Sequence, residues 1–464
     1  MAISVTARMD RLPMSKPHYY LLLIGGLGYT FDGMDSAVVA FLMPSVRDVF
    51  GLSQAQLGVV GSSAPIGFLL GALLSGYLGD KIGRKAVMMY ALAVYAIASL
   101  LAAVSWNFES FLIFRIIAGA GAGAESVIIA PFLSEFVPKH RRGWFVGALS
   151  GFFSFGFVGA ALIGRFVVPA SEHGWRWAQV ITFIPIVMVL WWRRSLPESP
   201  RFLVTQGKHD EAETVVADFE QRVRNAIGGE LPPVDPDAPE EEPPKKFKFG
   251  KAIAFLWSPQ MWRITATTWL IWFVITFSYY GFFTWIPTLL VQRGIDVTTS
   301  FTYSLFIYLA QIPGYFSAAW LNEKLDRKYT IAMYLTGAAG AAYWLSQAND
   351  PVMITWAGVA LSFFLNGTYA GVYAYTPEVF PTWLRATGVG MSSSFGRVGS
   401  ITAPIIIGAF AAQWGFVGVF GMTTTVLAIG VICTLLFAVR TAGRSLEEIT
   451  GSGSGVVRKT PAAH

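Results

Sequence analysis

The feature that most constrains this chain is a succession of long apolar runs separated by short polar loops. A helix needs about 20 apolar residues to cross the hydrocarbon core of a bilayer, and the runs have this length. Hydrophobic residues make up 54% of the 464 residues and charged residues only 13%, which predicts an all-α membrane protein and excludes an ordinary soluble one. The twelve predicted transmembrane spans are 19–45, 57–79, 86–105, 109–133, 144–170, 176–195, 264–290, 302–322, 330–348, 352–377, 386–412 and 415–440.

The distribution of basic residues predicts the orientation of these spans. Every second loop is rich in Lys and Arg, as in 81–85 and 139–142, whereas the loops between them hold mainly Asp, Glu and Asn. Because cytoplasmic loops carry an excess of Lys and Arg, both termini are predicted to be cytoplasmic, in a multi-pass protein of the plasma (inner) membrane. The net charge of +6 then reflects topology, and no nucleic-acid partner is expected.

Several kinds of functional site are excluded because the residues that they need are missing. The single cysteine, Cys433, and five scattered histidines provide neither a disulfide framework nor a zinc site. No Gly-x4-Gly-Lys-Ser/Thr phosphate loop occurs, so ATP-driven pumping by this chain alone is not expected. The glycines of 119–123 lie inside an apolar span and indicate close helix packing in place of a dinucleotide loop. No cofactor and no metal are predicted.

A polar insert separates two groups of six spans. Its part 232–246 is rich in Pro, Asp, Glu and Lys, which is typical of a solvated linker. The predicted domains are an N-terminal cytoplasmic tail (1–18), a first six-helix bundle (19–196), a cytoplasmic linker (197–250), a second six-helix bundle (251–440) and a C-terminal cytoplasmic tail (441–464).

Two sequence motifs occur twice, in each case 243 residues apart. The segment 77–85 corresponds to 320–328, with an acidic, a basic and an aliphatic residue followed by Arg-Lys in the same order. The segment 135–142 corresponds to 378–385, since both begin with Glu, have Pro at the fourth position and end with Arg. One offset for two independent motifs indicates a duplicated six-helix membrane unit.

Charged residues inside the spans are the candidates for chemistry. Asp32 and Asp35 lie on one face of the first span, and each costs about 2.5–3.5 kcal/mol at mid-bilayer unless it is paired or hydrated. At about 1.5 Å per residue, Arg115 of span four reaches nearly the depth of Asp35, which predicts an ion pair, with Asp32 one turn deeper. Two carboxylates beside one cation cannot both ionise cheaply, so the group is predicted to couple to protons; a static role between helices is the alternative. Glu125 lies about 15 Å further along span four and is a further candidate for proton coupling.

The second half carries a charge near the middle of a span, Arg397 in span eleven, and its spans contain no acidic residue except Glu378 near one end. A guanidinium at this depth is suited to bind a carboxylate through two hydrogen bonds, and a structural ion pair is the alternative. Aromatic and polar side chains of spans seven, eight and ten are predicted to frame a flat ligand, and helix packing is the alternative for each. They are Tyr279, Tyr280, Gln311, Asn366, Tyr369 and Tyr373.

These motifs resemble those of the major facilitator superfamily over nearly the whole chain. The resemblance is carried by 76–85 with its copy at 320–328 and by Arg115-x3-Gly119, while 131–143, 197–201 and 443–448 are similar to the sugar-porter and organic-ion branch. It implies two six-helix bundles that rock about a central site. It also implies cytoplasmic gate ion pairs, closed when the cavity faces outward, among Asp80, Arg84, Glu135, Arg142, Glu323, Arg327, Glu378 and Arg385.

Two further segments narrow the resemblance. Asp32-Gly-Met-Asp35 is similar to a motif of aromatic-acid/proton symporters. The segments 31–44 and 394–399 resemble those of bacterial niacin transporters and their relatives, the synaptic vesicle glycoprotein 2 proteins and the organic anion and cation carriers. In those anion carriers an arginine at the place of Arg397 is associated with the anionic substrate. Sugar porters are a poorer match, since span seven lacks their Gln-Gln pair.

The expected function is secondary active import of a small aromatic or heteroaromatic carboxylate, nicotinate-like or benzoate-like, by proton symport through alternating access. The chain is expected to act as a monomer in the lipid bilayer. A sugar or organic-cation carrier, or an exporter of aromatic compounds, is the alternative within this class. A non-transporting membrane receptor is the alternative from a different class, and an enzyme is not expected.

Overall fold

Helix is the only regular secondary structure in residues 5–234, 249–381 and 384–441, which are the residues that the structure, a computed structural model, describes. The side chains of Asp80, Arg193, Phe249 and Ala386 lie outside this description. The first helices are α1 Val5–Asp10, α2 Lys16–Phe50, α3 Gln54–Ile82, α4 Arg84–Ala103, α5 Phe108–Ser134, α6 Arg142–Phe166, α7 Gly174–Phe183, α8 Ile186–Ser195, α9 Pro200–Thr205 and α10 His209–Ile227. They are followed by α11 Phe249–Leu256, α12 Trp262–Gln292, α13 Val297–Leu309, α14 Gln311–Lys324, α15 Arg327–Gln347, α16 Pro351–Val379 and α17 Arg385–Phe437.

Each predicted span falls on one helix or on two consecutive helices. The helices α2 to α6 correspond to spans one to five, and α7 with α8 corresponds to span six. In the second half, α12, α15 and α16 correspond to spans seven, nine and ten, α13 with α14 to span eight, and α17 to spans eleven and twelve. By length and apolar composition alone, eight helical segments of the described residues can cross a membrane, with α7 and α8 counted as one segment, and α2, α13, α14 and α15 are not among them.

A glycine divides α17 where the sequence predicts a short loop. Gly415 has φ 60° and ψ −170°, a backbone conformation that residues with a Cβ rarely adopt. The predicted boundary between spans eleven and twelve, at 412–415, is thereby confirmed. Two interruptions were not predicted: span six is divided at Ile184 and Pro185, where proline removes a backbone donor, and span eight is divided at Ala310.

Polar side chains mark where several helices begin. Ser53, Asn107 and Asp350 each accept a hydrogen bond from a backbone N–H in the first turn of α3, α5 and α16. The first N–H groups of a helix have no partner inside it, so these side chains satisfy donors that would otherwise depend on water. The apolar runs therefore become helical from defined positions.

The same close crossing of two helices occurs in both halves. A Cβ at Gly71 of α3 would lie 1.8 Å from the carbonyl oxygen of Ala120 in α5. A Cβ at Gly314 of α14 would lie 2.3 Å from the carbonyl oxygen of Phe363 in α16. Both residues of the second contact lie 243 positions after those of the first. Only glycine allows backbones to approach this closely, so the repeat read from the sequence is also a repeat of packing.

A second close crossing of two helices also occurs in both halves, again with an offset of 243 residues. A Cβ at Gly156 of α6 would lie 2.1 Å from the carbonyl oxygen of Thr30 in α2. A Cβ at Gly399 of α17 would lie 2.7 Å from the carbonyl oxygen of Phe273 in α12. Again the residues are 243 positions apart, which agrees with a duplicated unit.

The protein divides into two compact units. The first comprises Met1–Glu242 and Phe283–Tyr308, and the second comprises Pro243–Phe282 and Leu309–His464. The segment Phe283–Tyr308 thus groups with the first unit although it follows the polar insert in the chain. The five domain boundaries given above stay predictions. Residues 1–4 of the predicted N-terminal tail, 235–248 of the predicted linker and 442–464 of the predicted C-terminal tail lie outside the described residues.

We expect Gly71→Ala to destabilise the protein, because the added methyl group would overlap the Ala120 carbonyl oxygen. Overpacking of this kind costs about 1–3 kcal/mol, and Gly314→Ala should act in the same direction. The control is Gly147→Ala in an exposed part of α6, where a Cβ meets no atom within 4 Å. Thermal unfolding of the purified protein in detergent measures the effect. Equal melting temperatures for Gly71→Ala and Gly147→Ala would contradict the close crossing.

Candidate functional site

A buried ion pair joins α2 to α5 in the first half. Arg115 Nη1 lies 2.6 Å from Asp35 Oδ1, and neither side chain is exposed to solvent. Arg115 Nη2 also donates to the Asp35 carbonyl oxygen at 2.8 Å and to Oδ2 at 3.2 Å. The contact predicted from the depth of the two residues is therefore confirmed, whereas its role in proton coupling stays a prediction.

Two polar side chains complete the surroundings of this pair. Ser99 of α4 donates to Asp35 Oδ1 at 3.3 Å, and Arg115 donates to Gln179 Oε1 of α7 at 3.4 Å. Both side chains are fully buried. The pair thus has hydrogen-bond partners on α4 and α7 in addition to α2 and α5, so a change in its charge alters contacts of four helices.

Two more carboxyl groups are buried near the pair. The Ser126 hydroxyl donates to Asp32 Oδ2 at 2.5 Å. Asp32 Oδ1 and both carboxyl oxygens of Glu125 have no hydrogen-bond partner among the described residues. Glu125 lies against α2, since a Cβ at Gly28 would come within 2.5 Å of Glu125 Oε1. Glu125 and Asp32 are close enough to interact electrostatically.

The charges of this group do not balance if every member is ionised. Asp32, Asp35 and Glu125 supply three carboxyl groups and Arg115 supplies one guanidinium, all without solvent exposure. An uncompensated charge is costly in a medium of low dielectric constant. The four residues, which we call the carboxyl cluster, are neutral together when two of the three carboxyl groups hold protons. Such a cluster has the composition needed to take up and release protons.

Two aromatic residues beside the carboxyl cluster were missed in the sequence. Tyr95 of α4 is fully buried, and its side chain interacts electrostatically with all four members of the cluster. Trp192 of α8 is also fully buried, and a Cβ at Gly28 would lie 3.2 Å from its ring. The Tyr95 hydroxyl and Trp192 Nε1 have no hydrogen-bond partner among the described residues. Aromatic residues in an apolar run carry no periodic signal that separates them from lipid-facing ones.

In the second half, Arg397 of α17 lies among tyrosines. Its Nη1 is 3.5 Å from the Tyr280 hydroxyl oxygen, and it interacts electrostatically with Tyr369 and Tyr373. Arg397 is partly exposed, and Tyr373 is 45% exposed. Arg397 is therefore not sealed among the packed helices, and partial exposure of this kind is compatible with the binding of an anion.

The tyrosines form one aromatic surface that reaches Gln311. Tyr279 packs edge-on against Tyr280 and Tyr369, with ring centroids 5.5 and 5.0 Å apart. Tyr369 stacks with Tyr373 at 6.0 Å. The Tyr279 hydroxyl donates to Gln311 Oε1 at 2.9 Å. Five of the six side chains predicted to frame a ligand are thus connected to one another and to Arg397, and their contact with a ligand stays a prediction.

Asn366 and Trp272 belong to α16 and α12, two of the helices that carry this surface. Asn366 is buried and donates to the Ser362 carbonyl oxygen of its own helix at 3.0 Å, so its predicted role is not tested. Trp272 was missed in the sequence; it packs edge-on against Tyr373 at 5.2 Å. Trp272 lies seven residues before Tyr279 on α12 and hence on the same helix face, a periodicity that predicts its contribution.

One ion pair occurs at equivalent positions in both halves. Arg84, the first residue of α4, pairs with Glu135 at the end of α5. Arg327, the first residue of α15, lies 3.2 Å from Glu378 of α16. Both residues of the second pair follow those of the first by 243 positions. The duplicated sequence motifs therefore encode a duplicated ion pair inside each half.

The other four predicted gate residues have different surroundings. Arg142 pairs with Asp10 of α1 at 2.7 Å, a partner that the sequence did not indicate. Glu323 is exposed near the end of α14, and Arg385 begins α17. The side chain of Asp80 lies outside the described residues. A gate role for all eight residues stays a prediction.

The helix α1 and the turn after it are bound to the polar insert. Arg8 contacts Glu213 at 2.5 Å and Glu220 at 2.6 Å, and Arg11 contacts Glu220 at 2.7 Å. Burial alone would raise the pKa of Glu220, but the hydrogen bonds from Arg8 and Arg11 outweigh burial and lower it. The stabilisation from these contacts is therefore complete at neutral pH and is lost as the pH falls through the pKa of folded Glu220.

The chain matches known membrane transporters over most of its length. Residues 19–451 match the family model described as sugar (and other) transporter. The chain is 38% identical to the niacin transporter NiaP of Acinetobacter baylyi, over 96% of this chain and 100% of that protein. It is 28% identical to the 4-hydroxybenzoate transporter PcaK of Pseudomonas putida, over 86% and 88%. The xylose transporter XylE from E. coli, in a partially occluded inward-open conformation, shares the major facilitator fold with a TM-score of 0.76 at 18% identity, over 93% of this chain and 100% of that chain.

Removing one member of the buried ion pair should destabilise the protein more than removing both. Arg115→Met or Asp35→Leu alone leaves a buried charge without its partner, which costs about 3–5 kcal/mol. The double variant replaces the pair by apolar side chains and should unfold closer to the wild type. Thermal unfolding of the four proteins in detergent measures the coupling. Additive effects of the two substitutions would contradict a direct ion pair.

Proposed function

We propose that this chain, which belongs to the sugar (and other) transporter family of membrane carriers, imports a small aromatic or heteroaromatic carboxylate together with protons. Members of this family move solutes across membranes and are not enzymes. The observation that carries the proposal is the position of the partly exposed Arg397 beside a surface of tyrosine rings.

The residues around Arg397 support a flat anion as the substrate. A guanidinium can hold a carboxylate through two parallel hydrogen bonds, which fixes both the position and the orientation of the anion. The rings of Tyr280, Tyr369 and Tyr373 offer faces and edges for an aromatic ring. Small-molecule sites commonly combine such apolar walls with a few placed polar groups. An uncharged sugar has no carboxylate for this guanidinium to bind.

The substrates named for two relatives agree with this chemistry. Niacin and 4-hydroxybenzoate are both carboxylic acids on a six-membered aromatic ring, and the ring of niacin contains a nitrogen. We propose a nicotinate-like or benzoate-like acid as the substrate of this chain. Import follows if the inward proton gradient across the plasma membrane drives the acid in the same direction.

The carboxyl cluster supports coupling to protons. A proton on Asp35 would remove the charge that attracts Arg115 and weaken the contact between α2 and α5. Protonation can then favour one conformation over another, because it changes the free energy of the two states by different amounts. Asp32 and Asp35 are fully buried, so they exchange protons with solvent in a different state of the transport cycle.

The proposal also covers the ion pairs of the gate, the oligomeric state and the membrane in which the protein lies. The Arg84–Glu135 and Arg327–Glu378 pairs would stabilise the cytoplasmic ends of the helices when the cavity faces outward. The protein would act as a monomer in the plasma membrane, with both termini in the cytoplasm.

Uptake of labelled nicotinate into proteoliposomes should depend on an inward proton gradient. We expect Asp35→Asn to abolish accumulation above the external concentration, since the residue no longer changes charge, and to retain nicotinate counterflow. The control is Asp48→Asn at an exposed position of α2, which should behave as the wild type. Uptake that is independent of the gradient, or accumulation by Asp35→Asn, would contradict the coupling.

Replacing Arg397 should weaken anion binding specifically. Hydrogen bonds to charged groups contribute about 1.5–3 kcal/mol, so Arg397→Gln should lower the apparent affinity for nicotinate by about tenfold or more. Arg397→Lys should recover only part of it, because an ammonium cannot bind bidentately. The exposed Arg263→Gln is the matched control. Competition binding measures all three, and an unchanged affinity in Arg397→Gln would contradict the proposed anchor.

A further inference from the structure

The side-chain amide of Gln311 is matched at only one end. Gln311 is the first residue of α14, next to the interruption at Ala310, and is fully buried. Its Oε1 accepts a hydrogen bond from Tyr279 at 2.9 Å. Its Nε2, which carries two N–H donors, has no hydrogen-bond partner among the described residues. A buried donor without an acceptor is costly, so an acceptor on a bound ligand would stabilise the Gln311 amide.

Two adjacent tyrosines connect this amide to Arg397. Tyr279 binds the Gln311 amide, and the Tyr280 hydroxyl oxygen lies 3.5 Å from Arg397 Nη1. The two rings are 5.5 Å apart between centroids. The aromatic surface therefore contacts the Arg397 guanidinium at Tyr280 and the Gln311 amide at Tyr279.

We infer that Gln311 selects, among ring carboxylates, those whose ring itself carries a hydrogen-bond acceptor. The inference rests on the proposed function and narrows its substrate class to heteroaromatic acids. With the carboxylate on Arg397, a pyridine nitrogen, which is unprotonated at neutral pH, accepts a hydrogen bond from Gln311 Nε2. The C–H of a benzene ring cannot accept one, so benzoate leaves the donor unmatched. A site that loses a buried hydrogen bond discriminates far more strongly than one that loses only apolar contact.

The alternative is that Gln311 only stabilises the junction of α13 and α14. In that case its replacement would change the affinity for every ring acid by the same factor. A selective role changes the ratio of two affinities instead. The ratio for nicotinate and benzoate, which have nearly the same shape and charge, is therefore the informative quantity.

The test measures binding of nicotinate and benzoate to the purified full-length protein by competition with labelled nicotinate. We expect the wild type to bind nicotinate about tenfold or more tightly than benzoate. Gln311→Met keeps the length of the side chain but removes the amide. In this variant the affinity for nicotinate should fall to that for benzoate, while the affinity for benzoate stays nearly unchanged. The matched control is Gln347→Met at an exposed position of α15, which should alter neither affinity. An equal loss of affinity for both acids, or an unchanged ratio of the two affinities, would overturn the inference.

A second variant keeps the inference testable if Gln311→Met does not fold. Tyr279→Phe preserves the ring but removes the hydroxyl that orients the amide, and it should lower the nicotinate-to-benzoate ratio by about threefold or more. An unchanged ratio of the two affinities in Tyr279→Phe would contradict the selective role of Gln311.

The two proposals fail in different ways. If the wild type binds both acids through Arg397 but with equal affinity, the assignment of Gln311 is wrong and the proposed function stands. If it binds neither acid, the proposed function is wrong and the inference fails with it.

Discussion

The first half of this protein depends on the buried ion pair between Asp35 and Arg115. Neither charge would be stable alone among apolar helices, so the pair requires α2 and α5 to stay in contact. The glycines of 119–123 allow α5 to approach its neighbours closely; a Cβ at Gly121 would lie 2.6 Å from the Ala91 carbonyl oxygen. Any step that changes the charge of Asp35 therefore acts on the packing of the helices around it.

The two halves share a scaffold and differ in chemistry. Glycine crossings and one ion pair recur 243 residues apart, because helix packing and helix ends serve the same purpose in both units. The charges at mid-depth do not recur: the residues at the positions equivalent to Asp35 and Arg115 are Ser278 and Gly358, and the one equivalent to Arg397 is Ser154. A duplicated framework thus carries carboxyl groups in one half and a guanidinium with tyrosines in the other. This division fits a transporter in which one half handles protons and the other an anion.

The features that could be predicted are those that helix geometry determines. The spans follow from apolar length, and the Asp35–Arg115 contact follows from counting the rise along two antiparallel spans. Contacts between the ends of distant helices follow no period, so the pairing of Arg142, the first residue of α6, with Asp10, the last residue of α1, could not be predicted. The interruption at Ala310 was missed although Pro313 follows it, a residue without a backbone N–H to donate to the Leu309 carbonyl oxygen. The unmatched amide of Gln311 depends on which neighbour takes its other end, which only the packed structure determines.

Proton symport by this protein is tested most directly by measuring whether nicotinate itself carries protons across the membrane. Nicotinate is added, without any imposed gradient, to proteoliposomes that contain a pH-sensitive dye, and protein-free liposomes correct for passive entry of the acid. The account predicts acidification of the lumen by the wild type beyond that correction and none by Asp35→Asn. Uptake of nicotinate by the wild type without protein-dependent acidification would contradict it.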